Sequence, residues 1–252
     1  MKIAVCGKGG SGKSTLVTLL AEEGRDKGLT VLVVDSDESN SALFRMLGFG
    51  EPPTALMELV GGKTALKDKM SGGHILTKKQ FSLQQIPARH IVARNGLMLV
   101  SIGKILQSLE GCACPMGVLS REFLKKLRLA KNEIALIDME AGIEHFGRGI
   151  DTSIDKVLLV ADPSFESITL AERIKGLSEG IGKNLSAVLN KVGSETLAAS
   201  LRTEFDNRQI DIIGIIPYDP LVFEACLRGH AFERGVSSQA AGKVLNSLLE
   251  MS

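Results

Sequence analysis

The densest chemistry in the sequence lies in Gly7-Lys8-Gly9-Gly10-Ser11-Gly12-Lys13-Ser14. This run fits the phosphate-binding pattern G-x-x-x-x-G-K-[ST] at every fixed position. Its glycines let successive backbone N–H groups converge on phosphate oxygens without Cβ clashes. A helix that follows adds the positive end of its dipole. Lys13 would then reach the β- and γ-phosphates of a nucleoside triphosphate, and the Ser14 hydroxyl would sit on Mg²⁺. The expected nucleotide contacts are Gly7, Gly9, Gly10, Ser11, Gly12, Lys13, Ser14 and Thr15. Lys8 is a second lysine inside the loop, and the phosphate pattern does not require it.

Acidic residues are placed to work beside such a loop. Val31-Leu32-Val33-Val34-Asp35-Ser36-Asp37 puts two carboxylates at the end of an apolar run, and Ile134-Ala135-Leu136-Ile137-Asp138 puts a third at the end of another. Ligands of open parallel sheets bind at the carboxyl ends of the strands. Mg²⁺ keeps several waters, so Asp35 and Asp138 are expected to act on it through water. Asp37 is the candidate to orient the attacking water.

The base is read further along. Asn190-Lys191-Val192-Gly193 has glycine where a guanine-reading N-K-x-D loop has its aspartate. Guanine would lose its main acceptor, and a buried donor left unpaired costs about 1–3 kcal/mol. Adenine loses nothing, so ATP and ADP are favoured, with Asn190 able to hydrogen-bond an adenine edge.

Two thiols stand close together in Cys112-Ala113-Cys114-Pro115. Gly111, Pro115 and Gly117 mark a loop or helix entry. Thiols at a helix N-terminus have depressed pKa values, and thiolates select soft or borderline metals such as zinc, copper(I) or nickel. One pair supplies two ligands where a closed zinc site takes four. A two-fold dimer would supply four, since an isologous interface brings the same loop of each subunit together. The four histidines, His74, His90, His145 and His230, are scattered. Cys6 and Cys226 read as core residues.

These groups need elements to hold them. Strands are expected at Lys2–Cys6, Thr30–Asp35, Leu97–Ile102, Glu133–Asp138, Lys156–Ala161, Leu185–Leu189 and Ile212–Ile216. Helices are expected at Ser14–Lys27, Gly117–Leu129, Phe165–Glu179, Thr196–Phe205, Leu221–Arg228 and Ser237–Glu250. Apolar strands separated by helices predict an α/β fold, a mostly parallel twisted sheet with helices on both faces. The 252 residues suit one domain over 1–252, with a rim insertion of short helices and a hairpin at about 48–96. A net charge of +1 gives no electrostatic case for nucleic acid or a membrane. No apolar run approaches the roughly 20 residues of a bilayer span, and no secretory leader is recognisable. Four cysteines do not make a disulfide scaffold in a chain of this length. A reducing cytoplasm is the expected compartment.

With its second loop lysine, the sequence resembles the deviant Walker A family, whose loop reads KGGxGK[ST]. That family includes the cell-division ATPase MinD, the nitrogenase iron protein and metallocentre maturation ATPases. The resemblance implies a P-loop ATPase hydrolysing ATP to ADP and phosphate. It also implies that Lys8 crosses a homodimer interface to the partner's nucleotide. Asp35-Ser36-Asp37 matches the family's first switch and Asp138-Met139-Glu140-Ala141-Gly142-Ile143-Glu144 its second. Asn190, Lys191 and Pro217, within Ile216-Pro217-Tyr218-Asp219-Pro220, match its base-binding segments. The combined motifs and the Cys112/Cys114 pair resemble the carbon monoxide dehydrogenase accessory ATPases (CooC type). That branch implies zinc or nickel at the pair, nucleotide- and metal-dependent dimerisation, and nickel delivery to a client metalloenzyme, carbon monoxide dehydrogenase. Two other readings stand beside it: a MinD- or ParA-like positioning ATPase without a metal role, and an iron–sulfur carrier. The near-neutral charge and the single lysine of Ala240–Ser252, Lys243, weigh against the first of these.

Overall fold

β-Branched and aliphatic runs make the central layer of the molecule. In the computed structural model, which describes residues 1–37, 42–71, 76–103, 114–140 and 153–250, eight strands form one sheet. They are β1 (Lys2–Gly7), β2 (Thr30–Asp35), β3 (Val92–Arg94), β4 (Leu97–Ser101), β5 (Glu133–Asp138), β6 (Lys156–Ala161), β7 (Leu185–Val192) and β8 (Asp211–Pro217). Their spatial order is β3-β4-β2-β5-β1-β6-β7-β8. Pairing is parallel throughout except for β3, an antiparallel edge strand joined to β4 by a turn at Asn95-Gly96. β1 and β5 are buried along their whole length. Continuous apolar strands of this kind need cover on both faces.

The helices supply that cover. They are α1 (Lys13–Asp26), α2 (Leu43–Met46), α3 (Leu56–Leu59), α4 (Gly62–Ser71), α5 (Cys114–Lys126), α6 (Phe165–Gly180), α7 (Glu195–Asp206), α8 (Pro220–Arg228) and α9 (Val236–Glu250). Strand alternation divides the core into two clusters. Ile3, Val5, Val31, Val33, Ile134 and Leu136 pack under α1, α2 and α9. Ala4, Leu32, Val34, Ala135 and Ile137 pack on the other face with Leu56 and Leu66, with Leu119 and Phe123 of α5, and with Ile174 and Phe205. Ser164 and Ser194 cap α6 and α7 by accepting from the backbone N–H groups of Ser167 and Leu197. Asp219 caps α8, with Pro220 in its first turn.

The parallel α/β architecture is the one predicted, and most boundaries fall within a residue or two. Two departures touch the chemistry. β7 runs on to Val192, three residues past the predicted Leu189, and carries Asn190 and Lys191 as strand residues beside an irregularity in its pairing with β8. α5 opens at Cys114 rather than Gly117, because Pro115 favours the first turn of a helix, where its missing N–H is not needed. Cys112 lies outside the described residues, as does Ala141–Glu144 of the second switch. Among the described residues no helix is long and apolar enough to cross a membrane.

Candidate functional site

β1 ends at Gly7, and α1 begins six residues later at Lys13. The chain between them must turn tightly, and the Ser11 N–H donates back to the Lys8 carbonyl at 3.1 Å. Gly12, the N-cap of α1, has φ 98°, and a Cβ there would overlap the Asn190 side-chain amide. Gly7 stands against the Val160 carbonyl so closely that a Cβ would collide with it. Gly7 and Gly12 are therefore positions that only glycine can fill.

Side chains brace it from β7. Asn190 Nδ2 donates to the Ser11 carbonyl at 2.8 Å and Lys191 Nζ to the Gly10 carbonyl at 2.7 Å. Lys191 holds φ 59°, a left-handed conformation that non-glycine residues rarely adopt. Lys13 is buried, and its Nζ donates to the Lys8 carbonyl at 3.3 Å. Its ammonium thus lies folded over the loop that it closes.

Strand register places the acids. Asp35 pairs with Asp138 across β2 and β5, and with Ser101 across β2 and β4, so these three residues stand level at the carboxyl edge of the sheet. All three continue rows that face α1. Ser14, at the start of α1, donates to Asp138 Oδ2 at 2.6 Å. Burial pushes the Asp138 carboxyl up to about 7; the Ser14 hydrogen bond opposes this, and the charge of Asp35 adds to it. Asp138 Oδ1 and Ser101 Oγ are buried without a hydrogen-bond partner. Asp35 and Asp37 are each less than a tenth exposed.

These residues fit a magnesium ion bound with nucleotide. A hydroxyl, an unpartnered carboxylate oxygen and two further buried carboxylates surround one strand edge, and the divalent charge would relieve their mutual repulsion. Among the described residues, no three His, Cys, Asp or Glu side chains form a group able to hold a metal by themselves. The carboxylates therefore suit an ion that keeps waters and phosphate oxygens in its shell.

A cavity of about 460 Å³ opens at this edge. Gly9, Gly10, Gly12, Lys13, Ser14 and Thr15 form its floor, and Asp37, Asn190, Lys191 and Pro217 line its sides. Sequence reasoning missed its remaining wall, which includes Val222, Phe223 and Cys226 of α8. The Tyr218 and Phe223 rings lie 6.3 Å apart, both about half exposed. No residue of α8 is buried, although its apolar spacing resembles that of a core helix. Cys226, expected in the core, is exposed and lies 3.8 Å from Thr15 Oγ1. The helix lies across the cavity wall, so its apolar positions face the cavity or solvent. Cys6 is buried as expected; its Sγ donates to the Leu158 carbonyl, and burial pushes its thiol up to about 12.

Lys8 turns away from this cavity. Its Nζ lies 3.3 Å from both Asp162 and Glu166 and donates to Ser164 Oγ at 3.1 Å. Partial burial works against the charge of Asp162, but hydrogen bonds from Ser167, Ser164 and Lys8 hold its carboxyl below the usual range. Within one chain the second loop lysine is thus neutralised at the start of α6.

The placement of Asp37 yields a test. Asp37→Asn keeps the shape of the side chain but removes the charge that the expected water-orienting role requires. Hydrolysis is expected to fall about a hundredfold or more while MgATP still binds. Single-turnover hydrolysis alongside calorimetry measures both, and normal turnover in the variant would move the water-orienting role elsewhere.

Comparison with known proteins agrees with this geometry. Residues 2–232 match the family described as the CobQ/CobB/MinD/ParA nucleotide binding domain. An uncharacterized ATP-binding protein of Methanocaldococcus jannaschii is 40% identical over 242 residues, covering 94% of this chain and 96% of that one. The carbon monoxide dehydrogenase accessory protein CooC of Rhodospirillum rubrum is 35% identical over 230 residues, covering 88% of this chain and 85% of that one. The cell division ATPase MinD of Pyrococcus furiosus superposes with a TM-score of 0.74 over 100% of this chain and 99% of its own, at 21% identity. That last likeness is one of fold.

Proposed function

The chain belongs to the CobQ/CobB/MinD/ParA family of P-loop ATPases, and from that premise we propose that it couples MgATP hydrolysis to the handling of a metal ion for a client metalloenzyme. In this reading ATP sits with its phosphates in the Gly7–Ser14 loop and its base between Asn190, Lys191 and the Pro217 segment. Lys13 moves from the Lys8 carbonyl to the β- and γ-phosphates. Ser14 would hold magnesium, with Asp35 and Asp138 acting on it through water. Magnesium, when bound, neutralises charge on the phosphate oxygens. Asp37 orients the attacking water. Lys8 leaves Asp162 and Glu166 and reaches the nucleotide of a second copy, so the charge developing on the transferring phosphoryl oxygens meets its cation only when the dimer closes.

Cys112 and Cys114 are the metal ligands in this reading, and the homodimer shares one zinc or nickel between two pairs. The observation that carries it is the Cys-x-Cys leading into α5 in a chain 35% identical to a carbon monoxide dehydrogenase accessory protein. The client class is accordingly a nickel-dependent carbon monoxide dehydrogenase. Metal and nucleotide should each favour the closed dimer, so each should strengthen binding of the other. Thiols must lose protons to bind, so metal affinity should fall as pH drops below the thiol pKa values.

The test is a zinc or nickel titration with and without ATP, read with mass in solution. One metal per dimer is expected, and none at this site in the variant carrying both Cys112→Ala and Cys114→Ala. One metal per monomer, or an unchanged stoichiometry in the double variant, would remove the shared site.

A further inference from the structure

Backbone alternation gives the segment after β2 two faces. Asp35 continues the row of Val31 and Val33 toward α1, whereas Ser36 continues the row of Leu32 and Val34 toward α5. Asp37 returns to the phosphate-loop side and lines the nucleotide cavity. Ser36 is therefore the one residue of Asp35-Ser36-Asp37 that looks away from the nucleotide. Its Oγ lies 2.9 Å from Ser120 Oγ of α5, and its backbone N–H donates to the Asp138 carbonyl at 3.0 Å. The same hydroxyl contact thus joins α5 to the segment that carries two of the three carboxylates.

Ser120 is out of place by composition. The inward stripe of α5 and the residue after it runs Met116, Leu119, Ser120, Phe123, Leu124 and Leu127, all buried. Helical spacing puts Ser120 within that stripe, where an aliphatic residue would add apolar contact. A hydroxyl buried there costs free energy unless it is hydrogen-bonded. Ser36 provides that bond. Apolar packing fills space but is weakly directional, whereas a hydrogen bond sets distance and angle. α5 begins at Cys114, and Ser120 lies six residues on, about 9 Å along the helix axis.

We propose that the Ser36–Ser120 hydroxyl pair is a positioning and coupling element: it holds Asp37 in place for hydrolysis and passes displacements of the Cys114 end of α5 to the magnesium-side carboxylates. The positioning half depends only on ATP hydrolysis. The coupling half rests on the reading of Cys112 and Cys114 as a metal pair. A rigid helix with one polar tether can act this way because either end biases the same arrangement.

The experiment uses Ser120→Ala, Ser36→Ala, their combination and Ser120→Thr, with thermal melting to confirm folding. Each alanine variant should lower kcat about fivefold to tenfold, the scale of one hydrogen bond, with little change in KM for MgATP. The combined variant should lose no more than either alone, because both remove the same bond. Ser120→Thr, which keeps the hydroxyl, should recover most of the rate. An unchanged kcat in both alanine variants, or losses that multiply in the combination, would overturn the positioning role. A fall in melting temperature with kcat and KM moving together would assign Ser120 to packing alone. A zinc titration of the wild type and Ser120→Ala, with and without ATP, decides the coupling. Wild type should bind zinc more tightly with ATP; Ser120→Ala should bind zinc but lose most of that enhancement. Enhancement retained in Ser120→Ala would overturn the link. A wild type that binds neither zinc nor nickel in parallel titrations would refute the metal reading and the coupling with it, while the kcat comparison still decides the positioning role.

Discussion

Lys13→Ala is expected to weaken MgATP binding about a hundredfold or more, the largest affinity loss of any single substitution in the site. The reasoning starts from burial. Lys13 is 6% exposed and its Nζ already lies over the loop, on the Lys8 carbonyl. A triphosphate in that loop brings several negative charges beside this ammonium. Backbone N–H groups supply partial charges, and Lys13 is the full charge within the loop that faces the cavity. Hydrogen bonds to charged groups are worth about 1.5–3 kcal/mol each, and about 1.4 kcal/mol is a factor of ten in affinity. Losing two such contacts, one each to the β- and γ-phosphates, gives the stated loss. The variant should remain folded, since it loses one long hydrogen bond to the Lys8 carbonyl while Asn190 and Lys191 still brace the glycine turn. Calorimetry of the folded variant with MgATP is the check. Unchanged affinity would mean that nucleotide is held elsewhere.

Lys8→Ala should behave oppositely, binding MgATP nearly as the wild type does while hydrolysis falls about a thousandfold, in the range of a cation delivered in trans. Within one chain Lys8 touches Asp162, Ser164 and Glu166 rather than the cavity, so its loss takes no contact from a nucleotide in the same subunit. The Asp162 side chain is 18% exposed, but the Glu166 side chain is 77% exposed, so the pair with Glu166 faces solvent. Ion pairs of that kind stabilise little, so the lysine can leave them for the far higher charge density of a triphosphate. ATP-driven dimerisation should be lost with hydrolysis. Sedimentation of Asp37→Asn and of Asp37→Asn with Lys8→Ala, each with MgATP, separates the effects: the first should accumulate as a dimer and the second should stay monomeric. Wild-type turnover in Lys8→Ala would end the trans role.

The difference between Lys13 and Lys8 marks how far the sequence could be read. Gly7 to Ser14 is contiguous, and its chemistry follows from backbone freedom and the strand and helix on either side. The apolar runs before Asp35 and Asp138 are equally local, and they made the α/β class and the place of the acids at strand ends legible. The missing aspartate after Asn190-Lys191 was legible for the same reason. The partners of those residues were not. Asp162 and Glu166 stand more than 150 positions from Lys8, and nothing in their own neighbourhood marks them as a lysine's resting place. They meet it because β6 lies beside β1 in the sheet. Cys226 and Phe223 have helical spacing that reads as core, yet α8 lies against the cavity, and only its packing shows that these positions face nucleotide or solvent. Ser120 reads as one polar residue on an amphipathic helix until β2 brings Ser36 against it. Whatever the backbone can do with its near neighbours was readable from the chain alone: the phosphate loop, the strands, most helix spans and the acids at strand ends. Tertiary structure decided every pairing across the sheet, because strand order and register select through-space neighbours by the cooperative burial of two apolar faces, a property of the whole chain that no short segment contains.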